Sequence, residues 1–114
     1  MSGARCRRKG RRIDLELVHR LQEAGFAAQR IPLSGSAGGK FRGDIATPLL
    51  GRDLVVEVKC RAGGFRELYR WLTDRDLLIV RADRHQPLVV VPFPLALEIA
   101  RAAEREKTLH ERAA

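Results

Sequence analysis

The sequence predicts an α/β fold, one small domain in which a central mixed sheet is flanked by helices in the order α-β-β-β-α-β-β-α. Three observations predict it. Segments with helical periodicity lie near both ends, at about 12–24 and 95–108, with a shorter one between them. Five runs of strand length fill the rest, bounded by Gly, Pro or polar turns. At 114 residues the chain has room for one core and not two. A composition of 45% hydrophobic and 32% charged residues fits a folded chain rather than a disordered one.

The first helix is expected from about Arg12 to Ala24, with Gly25 placed to end it at C′. Asp14, Leu17, Val18 and Leu21 fall at i, i+3, i+4 and i+7 and share one face, whereas Glu16, His19, Arg20 and Glu23 project elsewhere. Of the two acids in IDLEL, Asp14 therefore faces inward and Glu16 does not. FAAQRIPLSG reads as a short strand running into a turn. SGSAGGKFRG, with four glycines, reads as a mobile or tightly turning loop.

DIATPLL is expected as the second strand and DLVVEVKC as the third. In the third, Leu54, Val56, Val58 and Cys60 take one face, and Val55, Glu57 and Lys59 the other. A turn around Gly51 and Arg52 would bring Asp44 beside Glu57 and Lys59. Phe65, Leu68, Tyr69 and Leu72 mark a short amphipathic helix. DLLIV and LVVVPF, separated by the polar turn RADRHQ, are the last strands, and Pro94 suits the first turn of a closing helix over 95–108.

The net charge of +8 is unevenly placed. Residues 1–12 hold Arg5, Arg7, Arg8, Lys9, Arg11 and Arg12 and no acid; subtracting these six from 22 leaves 16 cations against 14 acids. The organisation expected is a basic arm, 1–12, ahead of a domain over 13–114. Such an arm is an electrostatic footprint for nucleic acid or a solubilising tail. It has no interleaved leucine or aromatic residues for a membrane surface. No apolar run approaches the roughly 20 residues that span a bilayer, and no apolar segment follows the basic start as in a secretory signal. Cys6 and Cys60 lack metal-ligand spacing and read as reduced thiols of a cytoplasmic protein.

Asp14, Asp44, Glu57 and Lys59 come from three elements that the fold can bring to one sheet edge. Either Glu57 and Lys59 belong to a salt-bridged edge strand, or the four form a site. Gathered carboxylates repel one another, and a divalent cation resolves the repulsion. Mg²⁺ takes hard oxygen ligands at about 2.0–2.1 Å and keeps waters that a phosphate oxygen can replace. Such a metal polarises a phosphodiester and acidifies a bound water, and a lysine on the same face can orient that water or stabilise charge on the phosphate.

RKGRRIDLELVHRLQEAGF, then RIPLSG, GDI and VEVK, resemble the PD-(D/E)xK nuclease superfamily, most closely the archaeal-type Holliday junction resolvases and related phage and prophage proteins. The motifs lie within about residues 7–60. The resemblance implies the restriction-endonuclease-like core, metal ligation by Asp44 and Glu57, and Lys59 as the catalytic lysine. Asp14 matches the helix-one acid, four residues after Gly10, where the family usually has glutamate; Glu16 is the competing candidate. Ser34 matches a loop serine near the scissile phosphate, and is equally a turn residue. Gly43 stands where the superfamily name has proline. Mg²⁺, with Mn²⁺ able to substitute, is the implied cofactor, and a homodimer making two symmetric cuts the implied assembly.

The function expected is thus a metal-dependent DNA endonuclease, structure-selective on branched DNA and serving recombination or repair at the nucleoid, with no organic cofactor and no membrane partner. Arg5, Arg7, Arg8, Lys9, Arg11, Arg12, Lys40 and Arg42 would meet phosphates without reading bases. A non-catalytic nucleic-acid-binding module, a general repair or restriction-type nuclease, and a basic structural protein are the rival readings. His19 reads as solvated, while His85 and His110 carry no role. Tyr69 and Trp71 read as core or helix-packing residues, with Trp71 the better candidate for a dimer contact.

Overall fold

The structure is a computed structural model; it describes the backbone of residues 3–32 and 43–113, and the side chains among them from Gly10 onward. Its elements are α1 (Gly3–Glu23), β1 (Gln29–Arg30), β2 (Ile45–Leu49), β3 (Arg52–Val56), α2 (Arg66–Leu72), β4 (Leu78–Val80), β5 (Leu88–Val90) and α3 (Phe93–Ala113). The α/β class and the order of elements are those the sequence predicts. The strands pair as two antiparallel sheets, β1-β2-β3 and β4-β5, where the sequence suggested one mixed sheet. In each sheet only strands consecutive in the chain pair, so no crossover connection is needed. The chain forms two compact units, one running to Cys60 and resuming at Ala100, the other Arg61–Ile99.

In the first unit α1 begins at Gly3, so its opening turns carry the segment read as a basic arm. Its end is a Schellman motif. Phe26 N–H reaches Leu21 C=O at 3.0 Å and Gly25 N–H reaches Gln22 C=O at 3.0 Å. Gly25 takes the left-handed conformation this requires, φ +101°. The motif turns Phe26 into the protein, where it is buried. The inward stripe of α1 then meets the sheet: Val18, Ala28 and Ile45 are the buried core, with Leu17, Leu21, Val56 and Val58 packed against it. Burying a side chain of this size contributes about 1.5–3 kcal/mol, and Ile45, the most enclosed, lies next to Asp44.

β2 pairs with β3 from Ile45↔Val56 to Leu49↔Arg52, so the tight turn is Leu50-Gly51, one residue earlier than the sequence suggested. Both turn residues have positive φ, +53° and +80°. That is the signature of a two-residue type I′ hairpin, whose first position favours Asn, Asp or Gly. Leucine is strained there, and its N–H is held by the carboxylate of Glu104 on α3. Pro48 is tolerated because β1 pairs only with Ala46 and Ile45 and does not reach that far along β2. β3 ends at Val56 rather than continuing to Cys60. The alternation nevertheless persists, with Val58 half-buried and Glu57 and Lys59 exposed; Cys60, expected inward, is exposed.

In the second unit, β4 and β5 pair from Leu78↔Val90 to Val80↔Leu88. α2 buries no residue fully, and Phe65, Leu68 and Leu72 are its half-buried side. Tyr69 and Trp71 are 76% and 50% exposed, which overturns their reading as core residues: both lie off the Phe65-Leu68-Leu72 stripe. α3 starts at Phe93, places Pro94 in its first turn, and runs five residues past the predicted end at Thr108. Among the described residues, no helix is long and apolar enough to cross a membrane.

Two of the left-handed residues of the first unit, Leu50 and Gly25, should respond oppositely. Leu50→Asn keeps the N–H that Glu104 accepts and relieves a cost of about 1 kcal/mol for a left-handed L-residue, so urea unfolding should shift to higher midpoint. Gly25→Ala, which meets no steric obstacle, should lose about the same amount through φ alone.

Candidate active site

The site is built around Asp44. Gly43 lets the chain pass close to β3: a Cβ there would collide with Val55 and stand 3.1 Å from Val56 O. Asp44 is then pinned from both sides. Its N–H donates to Val56 C=O at 2.8 Å, and its C=O accepts from Ile31 N–H at 3.0 Å. Its carboxylate Oδ2 accepts from Val58 N–H at 2.6 Å. Where the backbone ladder between β2 and β3 ends, a side-chain oxygen takes the next N–H. This charge-assisted bond fixes a carboxylate at the open end of the hairpin, and it is why Glu57 and Lys59 project from irregular backbone rather than from a paired strand.

Asp14 comes from the inward face of α1 and is buried, whereas Glu16 is exposed. Desolvation by burial pushes the Asp14 carboxyl above the ordinary value of 3.8, and the negative charges of Asp44 and Glu57 push the same way; Arg30 opposes them. Arg30 Nε stands 3.9 Å from Asp14 Oδ2, too long for a hydrogen bond. That nitrogen is buried and has no hydrogen-bond partner among the described residues. The sequence reading missed Arg30. Its one signal was the period-two face of Phe26, Ala28 and Arg30, which sets a cation among buried apolar positions.

Glu57 and Lys59 face solvent, their side chains 55% and 59% exposed, and pair at 3.5 Å. The three acids are thus within electrostatic reach of one another, but they do not form a ligand cluster: among the described residues, no three of His, Cys, Asp and Glu are gathered closely enough to hold a metal. Each is turned to a partner of its own, Asp14 to Arg30, Asp44 to Val58 N–H and Glu57 to Lys59. The donor set still suits a hard divalent cation. It offers only carboxylate oxygens, and the mutual repulsion that raises the Asp14 pKa is what such an ion would relieve.

Arg11, Arg12 and His19 are exposed on α1. The side chains of Arg5, Arg7, Arg8 and Lys9, and the whole of Ser34, Lys40 and Arg42, lie outside the described residues.

An α-β-β-β-α order that carries an inward acid on its first helix, an aspartate opening the second strand and Glu-x-Lys after the third is the pattern that resemblance to the PD-(D/E)xK nucleases implies. The family model of the archaeal Holliday junction resolvase (Hjc) matches residues 5–69, from the first turns of α1 into α2. The match covers more than half of the chain, and the chain belongs to that family, with the restriction-endonuclease-like fold this implies and a resolvase-like nuclease activity on DNA as its class of function. No match was found among curated proteins or among solved structures.

The raised Asp14 pKa gives a pH test. Between the ordinary carboxylate value and the higher folded value the native state binds more protons than the unfolded state, so this group's contribution makes stability fall as pH rises through that window. Asp14→Asn should be more stable than the unsubstituted protein at pH 7, and the difference should close as pH falls below 4. Equal stability of the two proteins across the range would contradict the electrostatics described here.

Proposed function

We propose that this chain is a divalent-metal-dependent endodeoxyribonuclease that cuts branched DNA, with Asp14, Asp44 and Glu57 as metal ligands and Lys59 as the catalytic lysine. The observation that carries the reading is the Asp44 carboxylate, fixed by Val58 N–H at the hairpin's open end within electrostatic reach of the other two acids. Bound by Asp14, Asp44 and Glu57, Mg²⁺ or Mn²⁺ would supply Lewis acidity to the phosphate and lower the pKa of a water.

The chain's own residues do the rest. Asp44 is held by backbone, whereas Glu57 is exposed, and metal ligation would require it to leave Lys59 and turn toward the other two acids. The freed ammonium is then able to donate to the attacking water or to a phosphate oxygen as charge builds there. Arg30 offsets the Asp14 charge in the absence of an ion. Family resemblance supports Ser34 as a further donor to the phosphate. Arg5, Arg7, Arg8, Lys9, Arg11, Arg12, Lys40 and Arg42 meet DNA phosphates, and the excess of 22 basic over 14 acidic residues supports that footprint. A homodimer making paired cuts, in the cytoplasm of a prokaryotic or phage-infected cell, completes the reading.

The test is incubation of a labelled four-way junction with Mg²⁺ or Mn²⁺. Symmetric nicks near the branch point are expected. EDTA, Glu57→Ala and Lys59→Ala should each lower cutting at least a hundredfold, with junction binding by the Lys59 variant retained. Cutting of linear duplex at the same rate would make this a general nuclease. Binding without cutting under all conditions would make it a non-catalytic module.

A further inference from the structure

A groove of about 550 Å³ opens in the first unit at the turn end of the β2–β3 hairpin. Asp44 lies at the other end of β2, five residues away, or about 17 Å at roughly 3.4 Å per residue. Phe26, Pro48 and Leu49 give the groove an apolar wall, and α3 supplies Arg101, Glu104 and Arg105 opposite. The three α3 side chains are not equivalent. Glu104 is committed to Leu50 N–H. Arg101 and Arg105 are exposed and form no ion pair or hydrogen bond among the described residues. Two unpaired guanidinium groups one helical turn apart therefore face an apolar wall, and the one carboxylate between them is already engaged.

We propose that this groove docks a short acidic segment of another protein, in extended conformation, with an acid-apolar-acid pattern. Residues i and i+2 of an extended strand lie about 6.6–6.8 Å apart on one side. That matches the roughly 5–6 Å between Cβ atoms at i and i+4 of a helix, so two acids can each meet one arginine in a charge-assisted pair. The residue between them points the other way, to Phe26, Pro48 and Leu49. Concavity and an apolar wall favour a peptide over duplex DNA, which presents phosphates on a convex ridge and has no side chain to fill such a wall. The groove is separate from the candidate active site, so the proposal stands whether or not the chain cuts junctions.

Fluorescence anisotropy with a fluorescein-labelled Ser-Asp-Phe-Asp-Ser peptide tests it on the whole protein. Saturable binding is expected, weakened at least tenfold by Arg101→Glu combined with Arg105→Glu and by the Ser-Asn-Phe-Asn-Ser peptide. Ala27→Trp, which intrudes on the groove without altering charge, should also weaken it. Arg66→Glu with Arg75→Glu, which changes net charge equally in the second unit, should bind as the unsubstituted protein does. Circular dichroism melting confirms that each variant is folded. Absence of peptide binding, or binding unchanged by the α3 pair, overturns the proposal. So does equal weakening by the second-unit pair, which would make the attraction one of net charge. If the α3 pair instead loses junction affinity with a shallower salt dependence, the groove is a DNA contact and the peptide reading is wrong.

Discussion

The bond from Val58 N–H to the Asp44 carboxylate is the constraint on which the rest of the site depends. It uses the first N–H that the β2–β3 ladder cannot satisfy through backbone, and so converts the end of a hairpin into a fixed negative charge. A buried or half-buried N–H left without an acceptor costs about 1–3 kcal/mol, so the carboxylate stabilises the fold while it is held in place. Gly43 makes the approach possible, because any Cβ at that position runs against β3. Asp14, delivered by the inward face of α1, then meets a second negative charge in a partly desolvated position, and its raised pKa is the consequence.

Gathering these acids costs stability at neutral pH, as the raised Asp14 pKa shows. Each acid is held by a partner of its own, Asp14 by Arg30, Asp44 by Val58 N–H and Glu57 by Lys59. The opposite end of the same hairpin shows a similar economy. Leu50 sits in a conformation that suits Asn or Gly, and Glu104 of α3 holds its N–H. A carboxylate thus secures the hairpin at each end, one from within β2's own lead-in and one from the closing helix.

Much of this was legible in the residues. The period of α1 placed Asp14 inward and Glu16 outward, and Gly25 marked the helix end, because both depend on local geometry that one chain segment sets by itself. The order of elements followed from the same local signals. What escaped was whatever depends on pairing between segments. Alternation in DLVVEVKC is identical whether the strand ends at Val56 or Cys60; only the availability of a partner on β2 decides it. Arg30 escaped because its significance lies in facing Asp14 from another element. Tyr69 and Trp71 were misread because a seven-residue helix has too few turns to fix a phase, and Phe65, Leu68 and Leu72 form its inner side.

The most direct test of the account is a carboxyl-carbon NMR titration of Asp14 in the unsubstituted protein and in Asp44→Asn, both without divalent ions. The account predicts an Asp14 pKa above 3.8 in the first and a downward shift toward that value in the second, since one of the raising charges has been removed. An Asp14 carboxyl that titrates at or below 3.8 in both proteins would contradict it, and would mean that these acids do not share a neighbourhood.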